Sequence, residues 1–100
     1  MTEFRRVLDS WNADDIGDWF SSKGIERSTA FMMGKEAMNG RVLFSFYQTY
    51  FDMRENSDRI ALISEAFQGS LKGQSFMFKN HLAKVLETLP EVAKKPPAEA

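Results

Sequence analysis

Apolar residues recur at intervals of three and four positions along most of this 100-residue chain. This period places them on one face of an α-helix. The apolar sets, in chain order, are Phe4, Val7, Leu8 and Trp11; Ile16, Trp19 and Phe20; Phe31 and Met32; Val42, Leu43, Phe46, Tyr47 and Tyr50; Ile60, Ile63, Phe67 and Leu71; and Phe78, Leu82, Val85, Leu86 and Leu89. The pattern predicts an all-α fold, a compact bundle of about five to six short helices. For the Val42 set, a strand is the alternative because of its aromatic and β-branched content.

Polar caps and glycines predict where these helices begin and end. Asn12 is a strong N-cap residue, and Gly24 suits the position that follows a helix. Ser28 is the candidate cap of the next helix. Further boundaries are predicted at Thr2, Met38-Asn39-Gly40, Asn56-Ser57-Asp58, Gly73-Gln74-Ser75 and Pro90. These signals predict one domain over residues 1–89 and a polar, proline-containing, mobile tail over residues 90–100.

The composition narrows the class of protein. Hydrophobic residues make up 43% of the chain and charged residues 27%, with a formal net charge of −1, which suits a small folded domain but not a generic nucleic-acid binder. There is no cysteine, so disulfides and thiolate sites are excluded. No apolar run approaches the roughly 18 residues that a membrane span needs. We therefore expect a cytoplasmic protein that does not contact membranes.

The residues that could carry chemistry have simpler structural interpretations. Asp14, Asp15 and Asp18 resemble part of a hard-metal site, but acidic residues in a first helical turn also stabilise the helix dipole. His81 is the only histidine and has no serine, cysteine or second histidine placed for a relay. We therefore predict no enzymatic activity, no catalytic residue, no cofactor and no metal.

Two groups of residues between Trp11 and Phe46 stand in a distinctive order and spacing. They are Trp11, Asp14, Asp15, Ile16, Trp19, Phe20, Gly24 and Ile25, then Met38, Asn39, Gly40, Leu43, Phe44 and Phe46. Together they resemble the two signatures at the start of a sterile alpha motif (SAM) domain, a small helical module that usually binds other proteins. After Phe46 two openings of the family's final helix remain possible, at Ser57–Ile60 and at Gly73–Phe76. With the helical period, the resemblance predicts one core containing Trp11, Ile16, Trp19, Leu43 and Phe46.

The resemblance implies a protein-interaction module that associates with itself, as a homo-oligomer, or with another helical domain. It implies one surface in the middle of the domain and one at the start of the terminal helix. Independently, Phe76 and Met77 fall outside the apolar stripe of the last helix and are candidates for an exposed contact patch. The candidate partner-binding residues are Glu36, Asn39, Asp52 and Glu55 for the middle surface, Asp58 and Arg59 for the helix start, and Phe76 and Met77 for the patch.

Two alternatives remain open. The chain could be a small adaptor or effector protein that docks one partner through the amphipathic helix from Phe76 to Leu89. RNA binding is the weaker alternative, because the basic residues near the possible helix start, Arg54 and Arg59, are interleaved with acidic ones.

Overall fold

The computed structural model describes residues 2–52 and 58–93, and within these ranges the chain forms seven α-helices and one 3₁₀ helix. The all-α prediction is confirmed, and the Val42 segment is a helix. One more helix is present than predicted because Phe67 (φ −120°, ψ 53°) interrupts the stripe from Ile60 to Leu71. The elements are α1 (Thr2–Asp9), α2 (Ala13–Ser22), α3 (Arg27–Ala37), α4 (Gly40–Asp52), α5 (Arg59–Ala66), α6 (Gln68–Leu71), α7 (Phe76–Glu87) and the 3₁₀ helix (Leu89–Ala93).

Helix α2 begins and ends as predicted. The Asn12 side chain accepts a hydrogen bond from the Asp15 amide at 2.9 Å, and the Asp15 carboxylate accepts one from the Asn12 amide at 3.0 Å. This reciprocal pair is a capping box. At the other end Gly24 has φ +92°, and the Ile25 amide donates back to the Phe20 carbonyl. Residues with side chains rarely adopt that φ, so glycine allows this helix stop.

Helix α3 is capped by Glu26, so the prediction of Ser28 as its cap is wrong. The Glu26 Oε1 accepts hydrogen bonds from the Ser28 hydroxyl at 2.6 Å, the Thr29 hydroxyl at 3.0 Å and the Thr29 amide at 3.4 Å. These hydrogen bonds hold the pKa of Glu26 below its ordinary value, and the bond from the Ser28 hydroxyl has the largest effect. Ser28 lies inside the first turn, where its hydroxyl acts as a donor instead.

The turn between α3 and α4 lies where the sequence predicts it, but its positive φ falls on an unexpected residue. Met38, rather than Asn39 or Gly40, has φ 73° and ψ −54°. The Asn39 amide donates to the Ala37 carbonyl at 2.9 Å, which completes a strained γ-turn. The turn is held from both sides, because Asn39 caps α4 through the Val42 amide at 3.0 Å and the Gly40 amide donates to the Trp11 carbonyl at 3.0 Å.

The residues of the hydrophobic core come from all parts of the described chain, from Phe4 to Leu89. Ile16 and Leu43 are fully buried, as predicted, whereas Trp11, Trp19 and Phe46 are only partly buried and pack against the core from its edge. The Trp19 ring packs on Phe20, with ring centroids 5.0 Å apart, and the Lys23 ammonium lies 5.7 Å from it. The largest fully buried side chains are Tyr50, Phe4, Phe20, Phe67, Leu8, Ile16, Met33, Leu43, Leu71, Leu82, Leu86 and Leu89.

Helices α2 and α3 pack in direct backbone contact. A Cβ atom at Gly34 would overlap the carbonyl oxygen of Ala13 and would lie 3.1 Å from the Gly17 amide nitrogen. Real Cβ atoms do not approach backbone this closely. Glycine at this position therefore sets the short distance between the two helices.

Helix α7 begins at the predicted boundary, where the Ser75 hydroxyl oxygen accepts a hydrogen bond from the Phe78 amide at 3.1 Å. The predicted domain end at Leu89 is too early, because residues 89–93 form the 3₁₀ helix that packs against α1. Val92 and Ala93 are apolar and partly buried, which explains why they join the fold. Residues 94–100 of the predicted tail lie outside the described residues. Among the described helices, none is long and apolar enough to cross a membrane.

Candidate interaction surfaces

The first turn of α7 presents two adjacent large apolar side chains to solvent. Phe76 is 65% exposed and Met77 is 81% exposed. We call these two residues the α7 tip. The other large apolar side chains that are exposed within residues 2–52 and 58–93 are less exposed and not adjacent to one another: Met32, Met38 and Phe51.

The helical period explains why the tip faces outwards. Each residue of an α-helix is rotated by about 100° from the one before it. Phe78 packs against the core, so Met77 and Phe76 point about 100° and 200° away from it. The exposure expected from the sequence is therefore present for both residues. Their contact with a partner stays a prediction.

The charged residues nearest the tip in the sequence are basic. They are Lys72 and Lys79, and no aspartate or glutamate occurs between Ala66 and Leu86. The free amide groups at the start of α7 add the positive end of the helix dipole. The tip is thus an apolar pair with a lysine on either side of it in the sequence.

A second surface is an apolar cleft of about 190 Å³ between α4, α5 and α7, which we call the α4–α5–α7 cleft. Buried side chains of Ile63, Phe67 and Leu86 form its floor. The partly buried side chains of Phe46, Leu62 and Ala66 contribute to its rim.

The polar side chains of this cleft make hydrogen bonds within the protein. The Thr49 hydroxyl donates to the Ser45 carbonyl at 3.0 Å, and the buried Tyr50 hydroxyl donates to the Glu87 carboxylate at 2.7 Å. The Arg59 guanidinium lies 5.9 Å from the centre of the Tyr50 ring. Because these groups are engaged, the surface that the cleft offers to a ligand is mainly apolar.

Acidic and basic residues both lie on or beside the ends of the helices that form the cleft. Among the described residues, the acidic ones are Asp52, Asp58, Glu65 and Glu87, and the basic ones are Arg41, Arg59, Lys79 and Lys84. The described charges at these helix ends are therefore balanced.

The residues expected to form a middle surface do not lie together. The Glu36 carboxylate accepts hydrogen bonds from the Gly69 amide at 2.6 Å, the Ser70 amide at 3.0 Å and the Ser70 hydroxyl, so it ties α3 to α6. Asn39 caps the start of α4, and Asp52 is its last residue. This helix of 13 residues is about 20 Å long, which separates Asn39 from Asp52 by its whole length. Glu55 lies outside the described residues.

One residue of the predicted middle surface, Asp52, lies at the same end of the molecule as the predicted helix-start residues Asp58 and Arg59. Arg59 opens α5 and lies over Tyr50, which is close to Asp52 in α4. Asp58 occupies the position before α5. Neither residue belongs to the start of the terminal α-helix, because the last α-helix of the described chain is α7.

The candidate chemical groups do not converge on a site. The Asp15 carboxylate is engaged in the capping box of α2, and His81 is exposed on α7. In the described parts of the chain, no group of three or more histidine, cysteine or acidic residues could hold a metal ion. No protein-family model, curated protein or solved structure matches this chain.

Sequence reasoning missed the cleft and the capping role of Glu36. Both depend on residues far apart in the chain, such as Phe46 with Leu86 and Glu36 with Ser70. The cluster Gln68-Gly69-Ser70 offers a weak signal, since small polar residues favour helix starts. Nothing local in the sequence indicates which carboxylate would reach them.

Proposed function

We propose that this chain is a non-enzymatic protein-interaction module that associates with itself through the α7 tip. The observation that carries the proposal is the exposure of Phe76 and Met77, 65% and 81%, side by side on a capped helix. Aromatic residues and methionine are enriched in protein interfaces, where removing them from water favours association. The Ser75 cap fixes the first turn, so little ordering is needed when the tip binds.

The resemblance to SAM domains supports the same surface. In that family one contact surface is the start of the terminal helix. Here α7 is the last and the second longest of the described α-helices, and it follows a turn at Gly73 with φ +77°. We therefore propose Phe76 and Met77, rather than Asp58 and Arg59, as the corresponding residues. The resemblance itself remains a prediction.

Docking of one different partner by the whole amphipathic α7 has less support. Leu82, Ala83, Val85 and Leu86 of this helix are buried in the core, so its apolar face is available only if the bundle opens. The tip is the part of α7 that a partner can reach without unfolding the protein. A protein other than a second copy would therefore also bind there.

Sedimentation velocity at increasing protein concentration tests self-association. We expect the average sedimentation coefficient of the wild-type protein to rise between micromolar and millimolar concentration. The double variant Phe76→Ser, Met77→Ser should stay monomeric, because both apolar contacts are lost. Met32→Ser is the matched control, since Met32 is an exposed methionine on α3, at 48% exposure.

The helical content of each variant is checked by circular dichroism, which separates lost association from lost folding. A wild-type protein that is monomeric at every concentration would overturn self-association. A double variant that associates as strongly as the wild type would remove the tip from the interface.

A further inference from the structure

We infer that the α4–α5–α7 cleft is a binding site for a small neutral aromatic molecule with a single ring. The site is separate from the α7 tip, so the inference goes beyond the proposed self-association and does not depend on it. The volume of the cleft, the rings in its wall and the charges around it each restrict the ligand.

The volume of the cleft restricts the ligand to one ring. The cleft has a volume of about 190 Å³. An apolar cavity of roughly 150 Å³ binds benzene, whereas sites for drug-sized ligands usually have about 300–1,000 Å³. The cleft is therefore large enough for an aromatic ring with one or two further atoms, and it is too small for a drug-sized molecule.

The apolar surface is concentrated inside the cleft, which favours a small molecule over a protein partner. A stable protein interface buries roughly 800 Å² on each partner, so it needs apolar surface well beyond one small cavity. The exposed large apolar side chains of the described chain are Met32, Met38, Phe51, Phe76 and Met77, and none of them lines the cleft.

The rings in the wall of the cleft favour an aromatic ligand. Phe46 and Phe67 both line the cleft and pack edge to face, with ring centroids 5.4 Å apart and ring planes at 82°. Phe67 also packs edge to face with buried Phe20, with centroids 5.9 Å apart. A bound ring can extend this series, and such ring pairs contribute to affinity beyond the apolar area that they bury.

The charges around the cleft favour a neutral ligand. No charged residue is among the described residues that line it, and the described charges at the ends of its helices are balanced. The buried Tyr50 hydroxyl already donates to the Glu87 carboxylate at 2.7 Å. An ionic ligand would therefore lose its water in the cleft without gaining an opposite charge, which is costly.

Titration with benzyl alcohol, followed by ¹H–¹³C NMR of the methyl groups, tests the site. We expect saturable shifts of the Ile63 and Leu86 methyl signals, with a dissociation constant on the order of 1 mM for a ligand of about eight non-hydrogen atoms. Benzoate and benzylammonium carry the same ring with a charge, and they should bind at least about tenfold more weakly. The protein concentration is kept below that at which the wild type associates.

Filling the cleft should remove the site. Ala66→Leu places a larger apolar side chain at the rim, where it takes space that the ring needs, and should weaken benzyl alcohol binding by about tenfold or more. Ala61→Leu is the matched control, because Ala61 is an exposed alanine of the same helix that does not line the cleft. Thermal unfolding verifies that each variant is folded at the temperature of the titration.

A change in the wall tests the preference for an aromatic ligand. Phe46→Leu removes one ring but keeps an apolar side chain at that position. It should weaken the binding of benzyl alcohol relative to that of cyclohexylmethanol, a saturated molecule of similar size, by roughly two- to tenfold, because only benzyl alcohol loses a ring pair. An equal change for both ligands would contradict the aromatic assignment.

The tip variant Phe76→Ser, Met77→Ser separates this site from the proposed interface. Phe76 lies about 15 Å from Leu86 along the axis of α7, at 1.5 Å per residue. The variant should therefore bind benzyl alcohol as tightly as the wild type does. Loss of binding in the folded variant would place the ligand at the tip and contradict the inference.

Three further results would overturn the inference while leaving the proposed function intact, since self-association is measured separately. The first is the absence of saturable shifts at Ile63 and Leu86. The second is wild-type affinity in folded Ala66→Leu, which would mean that the ligand lies elsewhere. The third is binding of benzoate or benzylammonium as tight as that of benzyl alcohol, which would exclude a site for neutral ligands.

Discussion

The contact between α2 and α3 and the contact among α4, α5 and α7 differ in how closely their helices pack. At Gly34 there is no room for a single methyl group, because the Ala13 carbonyl occupies the position of a Cβ. Between α4, α5 and α7 there is an apolar space of about 190 Å³. The first contact therefore depends on a glycine, whereas the second leaves apolar surface uncovered.

The difference in burial between two aromatic rings predicts a difference in the stability that each provides. Phe20 is fully buried and packs against Phe67, with ring centroids 5.9 Å apart. Phe20→Ala should lower the free energy of unfolding by about 3–5 kcal/mol, measured by urea denaturation. Phe46→Ala, at the partly exposed rim of the cleft, should cost only about 1–2 kcal/mol. Equal costs would contradict the difference in burial between Phe20 and Phe46.

Adding one carbon to the tight contact should also be costly. Gly34→Ala introduces a Cβ that overlaps backbone rather than a flexible side chain, so α2 and α3 must separate. We expect a loss of about 1–3 kcal/mol, although alanine is otherwise favoured over glycine within a helix by about 1 kcal/mol. Lys35→Ala, at the exposed neighbouring position, is the control. Stabilisation by Gly34→Ala would show that the contact between α2 and α3 can accommodate a Cβ atom.

In the cleft, a larger side chain is expected to change stability in the opposite direction. Ala66→Leu adds apolar atoms to a space that is already present, so it should leave stability unchanged or raise it by up to about 1 kcal/mol. The change in melting temperature, compared with that of Ala61→Leu, measures this effect. A destabilisation as large as that of Gly34→Ala would mean that the cleft cannot accept additional atoms.

The smallest expected effect concerns the cap of α3. Hydrogen bonds lower the pKa of Glu26 in the folded protein, and the bond from the Ser28 hydroxyl has the largest effect. The stabilisation from this carboxylate is therefore complete above its unfolded pKa of about 4.3 and is lost as the pH falls through its folded pKa. Ser28→Ala should raise the pKa of Glu26 towards its ordinary value, measured by NMR titration of the side-chain carboxyl carbon. An unchanged titration would contradict the capping geometry.

Local signals predicted most of the helices because they act over a few residues. The Asn12 cap, the Gly24 stop and the start of α7 after Ser75 each depend on hydrogen bonds within one turn. The break at Phe67 was not predictable, since the apolar period continues through it to Leu71. The position of the turn at Met38 was predictable, but the residue with positive φ was not. Neighbouring contacts override the preference for glycine or asparagine at positive φ.

The candidate surfaces were predictable to different degrees. Exposure of Phe76 and Met77 follows from the helical period alone. The roles of Glu36 and of the cleft do not, since each depends on residues brought together by the fold. The middle surface taken from the SAM resemblance stays a prediction, and its residues Asn39 and Asp52 lie at opposite ends of α4.

The most direct test of self-association through the α7 tip is an isotope-filtered NMR experiment on a mixture of labelled and unlabelled wild-type protein. It detects only contacts between different copies. We predict intermolecular nuclear Overhauser effects from the Phe76 ring protons and the Met77 methyl protons of one copy to protons of another. Intermolecular effects that involve only other surfaces, with none from Phe76 or Met77, would contradict the account.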